Sequence, residues 1–264
     1  MWAASARCLE TVEAVLEVCA DQVSKEGKDR NGSTALHFAA FQGALPVVEL
    51  LLDRGYSLKA TDLMGATPLL LAAGKGQTEV VRMLLSAGAT RGERDLAGRT
   101  ALHMACLGGQ AYTTQTLIKE GFDVDAPDNG GRTPIHCAAF AGFIGCVSTL
   151  LQNGGNVAVE DNQGRTALHM AAERGHTNCA QLLLEWGAAV NALCYDRGEP
   201  STPLSLALVN QHAELADVLV AWGAYTTEGL RETAAVLIQA WYRGTRVRRL
   251  IRLNHIDVGY VAHF

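Results

Sequence analysis

Gly164-Arg165-Thr166-Ala167-Leu168-His169-Met170-Ala171-Ala172 is the stretch on which the fold turns. A glycine that bends freely precedes a threonine, whose hydroxyl can take up the unpaired N–H groups of a helix start. Good helix formers follow, with alanines small enough to let a second helix approach. Thirty-three residues earlier the chain reads Gly131-Arg132-Thr133-Pro134-Ile135-His136-Cys137-Ala138-Ala139, and far upstream Gly32-Ser33-Thr34-Ala35-Leu36-His37-Phe38-Ala39-Ala40. Outward from these copies one period organises the chain: Thr34, Thr67, Thr100, Thr133 and Thr166 step by 33, as do Gly55, Gly88, Gly121, Gly154 and Gly187. A sixth cycle, with Thr202-Pro203-Leu204 and Gly223, arrives three residues late, which places a three-residue insertion within Leu193–Ser201. Each unit predicts a turn, a helix capped by the threonine, a loop, and a second helix with a buried face such as Leu182-Leu183-Leu184. The recurring glycine then takes a left-handed position at the second helix's end. Pro68, Pro134 and Pro203 sit one residue past the cap, where a missing N–H costs nothing. So short a pair buries too little by itself, and stability must come from stacked neighbours.

These residues resemble the ankyrin repeat, whose T-P-L-H-x-A-A core appears as Thr34–Ala40, Thr133–Ala139 and Thr166–Ala172. The resemblance implies an all-α solenoid of helix-turn-helix repeats with β-turn tips. Five complete units are expected over 28–192 and a divergent sixth over 193–227. Residues 1–27 look like the rear of a preceding unit, so the chain begins mid-repeat, either as a natural ragged end or as a piece of a longer array.

His37, His103, His136 and His169 share one phase and invite a metal or general-base reading. The resemblance implies another role, in which each histidine hydrogen-bonds its turn and ties adjacent units together. Leu70 and Ser205 replace it in the second and sixth units, where that network should weaken. Seven cysteines without a C-x-x-C pair suggest reduced thiols rather than a disulfide framework or a zinc ribbon. Cys137 beside His136, and Cys179 three residues after His176, read as core or loop thiols. No phosphate-cradling loop, nucleophile elbow or H-E-x-x-H motif occurs, so neither enzymatic activity nor a cofactor or metal is expected.

Past the last array glycine the composition changes. The net charge of −5 conceals an asymmetry: from Glu228 onward six arginines face Glu228, Glu232 and Asp257, giving +3 there and −8 before it. An acidic body argues against nucleic acid, and a basic tail offers a dock for an acidic partner. Residues 228–254 predict a helix with apolar Leu237, Ile238, Trp241, Tyr242 and Ile251 among arginines, followed by a tail over 255–264. This segment resembles the IQ motif at Ile238, Gln239, Arg243, Gly244, Arg248 and Ile251. The resemblance implies binding of calmodulin or a related EF-hand protein, with Ile238 and Trp241 in an apolar groove and Arg243 and Arg248 on its acidic rim. The alternative is a helix that folds back to cover the last repeat.

A second surface is expected on the concave face, from Leu63, Met64 and Leu96 at the turn tips and Phe41, Leu107 and Phe140 after the alanine pairs. An unidentified protein partner would dock there. The array followed by an IQ helix resembles cilium- or cytoskeleton-associated scaffolds. With no apolar run long enough to span a bilayer and no secretory leader, a cytoplasmic location is expected.

Overall fold

The computed structural model describes residues 27–196 and 198–242. The chain divides into two compact units, residues 1–156 and 157–264. Among the described residues of the first, four helix pairs follow one another: α1 (Ala35–Gln42) with α2 (Leu45–Asp53), and α3 (Pro68–Lys75) with α4 (Thr78–Ser86). Then come α5 (Ala101–Leu107) with α6 (Ala111–Lys119), and α7 (Pro134–Ala141) with α8 (Ile144–Gln152). The first helices of the pairs pack in sequence, α1 on α3, α3 on α5, α5 on α7, and the second helices pack in a parallel row. Their contact is built from repeated positions. Leu36, Leu69, Leu102 and Ile135 are buried in one layer, and Leu51, Leu84, Leu117 and Leu150 in another. Each fully buried aliphatic side chain contributes roughly 1.5–3 kcal/mol relative to exposure.

The helix starts follow the expectation: Thr34, Thr67, Thr100 and Thr133 are extended N-caps. What the periodic reading passed over is an aspartate five residues before each of them. One oxygen of Asp62 accepts from the Met64 and Ala66 N–H groups, both at 2.8 Å. Asp29, Asp95 and Asp128 fold their own turns the same way. Arg99 and Arg132 close on the second oxygens of Asp95 and Asp128. Successive tips are then joined by main-chain bonds, Leu63 N–H to the Asn31 carbonyl at 2.8 Å, Leu96 to Met64 at 3.0 Å, and Asn129 to Ala97 at 3.0 Å.

The second unit holds α9 (Ala167–Arg174) and α10 (Thr177–Glu185), a two-stranded antiparallel hairpin, and then α11 (Pro203–Val209) and α12 (Ala213–Ala221). A longer helix, α13 (Thr227–Tyr242), ends the described chain. The insertion expected in Leu193–Ser201 takes the form of the hairpin, β1 (Cys194–Asp196) against β2 (Glu199–Ser201), with Cys194 opposite Ser201. It replaces the aspartate turn, which Asp161 still makes one unit earlier, and keeps the tip link through the Tyr195 N–H on the Gln163 carbonyl. Gln211, at φ 63°, occupies the left-handed position that Gly175 fills in the unit before, a strain of about 1 kcal/mol for a residue with a Cβ. The expected partial repeat over 1–27 lies outside the described residues apart from Gly27, as does everything after Tyr242.

Candidate interaction surfaces

The histidines are structural. His37 Nδ1 accepts from the Thr34 N–H at 3.1 Å and lies 2.8 Å from the Thr34 hydroxyl. Its Nε2 is 3.0 Å from the Ala66 carbonyl of the next turn. A nitrogen that accepts a backbone N–H carries no proton, so the ring is neutral with its proton on Nε2, donating across the repeat boundary. His103 reaches the Arg132 carbonyl at 2.9 Å and His169 the Ala192 carbonyl at 3.1 Å. His136 keeps the same bond to Thr133. Burial pushes His37 and His103 below the ordinary imidazole range and His169 to about 4, against the opposing pull of the carbonyl each one faces.

Where the histidine is missing, the link is rebuilt from other groups. In the second repeat, with Leu70, the Thr67 hydroxyl donates to Glu93 Oε2 at 2.5 Å, and Glu93 Oε1 accepts from the Thr90 N–H at 2.9 Å. In the sixth unit the Thr202 hydroxyl lies 2.9 Å from the Tyr225 carbonyl and 3.0 Å from Ser205 Oγ. Ser205 Oγ in turn accepts from the Thr227 N–H at 3.3 Å. Asn191 spans the same junction, donating to the Gly223 carbonyl at 3.1 Å and accepting from the Tyr225 N–H at 2.8 Å. The expectation of a weakened network at Leu70 and Ser205 is therefore corrected: a carboxylate and a hydroxyl pair take over the span. At the sixth unit the group tied in is the start of α13.

Cys106, Cys137, Cys146, Cys179 and Cys194 are buried and form no disulfide. Burial raises the Cys137 thiol to about 12, and Cys106 also well above its ordinary value. Neither supplies a thiolate near neutral pH. Among the described residues no group of histidines, cysteines and carboxylates could hold a metal ion.

The six residues expected on the concave face fall into two rows of the first unit. Leu63, Met64 and Leu96 stand at neighbouring tips, 68 %, 62 % and 71 % exposed, brought together by the main-chain bond from Leu96 to Met64. Phe41, Leu107 and Phe140 lie at or just inside the ends of α1, α5 and α7. Leu107 and Phe140 are half-buried, and Phe41 is exposed with the Lys75 ammonium 4.6 Å from its ring centroid. Gly74 holds the corresponding place in α3 and puts no side chain in this second row. Of the tail residues, Ile238, Gln239 and Trp241 lie in the last two turns of α13. Arg243, Gly244, Arg248 and Ile251 lie outside the described residues.

The family profile for ankyrin repeats matches the chain in three copies, over residues 1–95, 88–161 and 146–229. The chain belongs to the ankyrin-repeat family. Residues 232–252 match the profile for the IQ calmodulin-binding motif, and the start of that stretch falls within α13. A comparison with curated proteins gives no match. Ankyrin repeats mediate protein–protein interaction, and IQ motifs bind calmodulin; this ankyrin-repeat chain carries both in series. No helix among its described residues is long and apolar enough to cross a membrane.

Proposed function

We propose that this chain is a non-enzymatic adaptor that holds a protein partner on its ankyrin repeats and is gripped at its terminal helix by calmodulin or a related EF-hand protein. The observation that carries the reading is the IQ match at 232–252, which starts on a helix whose first residue, Thr227, donates its N–H to Ser205 Oγ of the sixth repeat, two residues after Tyr225, which Thr202 and Asn191 hold. A sensor bound there sits at a fixed place relative to that repeat. Ile238 and Trp241 supply apolar anchors, with Ile251 a further one. Gln239 supplies a hydrogen-bonding amide, Gly244 room for close approach, and Arg243 and Arg248 charge for an acidic rim. On the first unit, Leu63, Met64 and Leu96 form the exposed apolar row a partner would cover, with Phe41, Leu107 and Phe140 as the second row.

The order of parts supports a cellular reading: repeats, an enlarged last unit, a Trp-Gly-Ala loop at Trp222-Gly223-Ala224, then the IQ helix. This order resembles the C-terminal part of the inversin ankyrin array, which favours a cilium- or cytoskeleton-associated scaffold within the cytoplasm. Calorimetric titration of calmodulin into the full chain, with and without calcium, tests the central claim. Ile238→Asp combined with Arg243→Glu should weaken binding by about 2 kcal/mol or more, the scale of an interface hot spot. Circular dichroism should show the helical array intact. Equal affinities for both proteins would remove the sensor from the reading.

A further inference from the structure

The charges of the first unit are sorted between its surfaces. Residues 27–156 carry eleven lysines and arginines and eleven aspartates and glutamates, a net of zero. None of these acids lies on the helices that present Phe41, Leu107 and Phe140. With their histidines neutral, α1, α3, α5 and α7 contain no carboxylate, and Lys75 is their one charged side chain.

The tips do hold four aspartates, but these face into their own turns. Asp95 and Asp128 keep 1 % and 0 % of their side chains exposed, while Arg99 and Arg132, paired with them, keep 26 % and 44 %. Each of these ion pairs shows solvent its cation and hides its anion. Asp29 and Asp62, where Ser33 and Ala66 stand in place of the arginine, each hold one oxygen against two backbone N–H groups. Beside Asp29 is Arg30, exposed. The remaining carboxylates lie on α2 and α4 or in the loops after α4 and α6. The face with the two apolar rows is therefore cationic within a unit of no net charge. Lys75 stands in the second row itself, 4.6 Å from the Phe41 ring centroid. Arg30, Arg99 and Arg132 belong to the same series of tips as Leu63, Met64 and Leu96.

We propose that this face takes an acidic peptide segment, one whose carboxylates are interspersed with large apolar side chains, laid in extended form along the tips. The proposal rests on the partner-binding reading of this face and adds the partner's charge to it. Covering Leu63, Met64 and Leu96 supplies the apolar contact, and carboxylates meeting Arg30, Lys75, Arg99 and Arg132 supply charge-assisted hydrogen bonds. A neutral or basic segment would cover those cations without pairing them, and that penalty gives the face its selectivity. Helices packed side by side stand about 8–10 Å apart, so four tips cover roughly 24–30 Å, the length of about eight or nine extended residues. A polynucleotide fits less well. A unit of zero net charge exerts little long-range pull on a polyanion, and the aliphatic row offers bases no aromatic platform.

The test pans a phage-displayed library of random peptides, each about twelve residues long so as to exceed the span of the tips, against the full chain. Clones that bind equally well to the variant carrying Leu63→Ser and Leu96→Ser are discarded, which removes those held elsewhere, at the basic tail included. Both positions face solvent, and circular dichroism checks that the variant keeps its helices. The surviving peptides should carry more Asp and Glu than Lys and Arg, together with large apolar residues. Combining Arg30→Glu with Lys75→Glu should weaken them by about tenfold or more, because like charges then meet. Neutral or basic survivors, or acidic ones indifferent to that pair, would overturn the acidic assignment and leave the partner face standing. A library without survivors would strike the partner face itself, and the proposal with it. A labelled single-stranded oligonucleotide serves as the counter-probe. Indifference of its binding to the charge reversals supports the peptide, whereas loss of its binding would give the cations to nucleic acid and overturn the proposal.

Discussion

His169 is held neutral by the directions in which its two nitrogens point, one at the Thr166 N–H and the other at the Ala192 carbonyl. A second proton would have to enter at Nδ1 and face that N–H, so burial and hydrogen bonding both oppose it, and the ring titrates near 4. A depressed histidine favours the folded state wherever the unfolded chain binds more protons. Its contribution is complete above the unfolded value near 6.5 and is lost as pH falls from there towards 4. A shift of this size is worth on the order of 3 kcal/mol at most. His37 and His103, shifted in the same direction by burial, add to the loss below the unfolded value. Urea midpoints should therefore be flat above about pH 7 and should drop steadily between pH 6.5 and 4.5, before most carboxylates titrate. A midpoint that holds constant across that window would contradict the neutral ladder. Leu70 sharpens the point, because the second repeat bridges its boundary with Glu93 and holds no histidine there.

At the scale of the elements, spacing between helices is set by what is missing as much as by what is buried. Gly108 caps α5 with ordinary right-handed dihedrals, so its backbone does not call for glycine. Its surroundings do: a Cβ there would run into the carbonyl oxygen of Gly74 at the end of α3. Gly108→Ala should cost about 1–3 kcal/mol, as overpacking against rigid backbone does, and Gly74→Ala should cost less because its nearest neighbours are ordinary contacts to Met104 at 3.6 Å. Thermal melts of the two variants check this, and equal losses would show that the helix ends can slide apart.

The helices themselves were legible, because the threonine cap, the apolar spacing and the glycine stop are local signals repeated with one period. The aspartates Asp29, Asp62, Asp95, Asp128 and Asp161 keep that period too. They escape a reading built on caps and core because their partners are backbone N–H groups, which no side-chain pattern displays. Glu93 had no such signal at all, since it occurs once and answers a loss at Leu70 in the unit before it. The length of the insertion at 193–201 could be counted from the late arrival of Thr202, but its pairing as a hairpin depends on Gly198 turning at φ 88°.

Among the described residues, α1 packs on α3, α3 on α5 and α5 on α7 in one compact unit, and α9 on α11 in the other, each on its neighbour in the array. Stability in such a chain approximates a sum of repeat terms and nearest-neighbour terms, so damage should spread with distance along the sequence rather than collapse everything at once. Leu168 is a suitable place to apply it, fully buried in α9 and in the unit that bears the IQ helix. Leu168→Ala should remove roughly 2–5 kcal/mol by leaving a cavity. Hydrogen exchange followed by mass spectrometry on the full chain should then show amides of α9–α12 opening many-fold faster. Those of α1–α4, in the other compact unit, should change little. If every helix accelerates by the same factor, the array unfolds as one cooperative body. A calmodulin grip at its end could then be felt at Leu63 and Leu96. If the gradient appears, sensor and partner are held on segments that open independently, and any coupling between them has to be carried by the end of the chain itself.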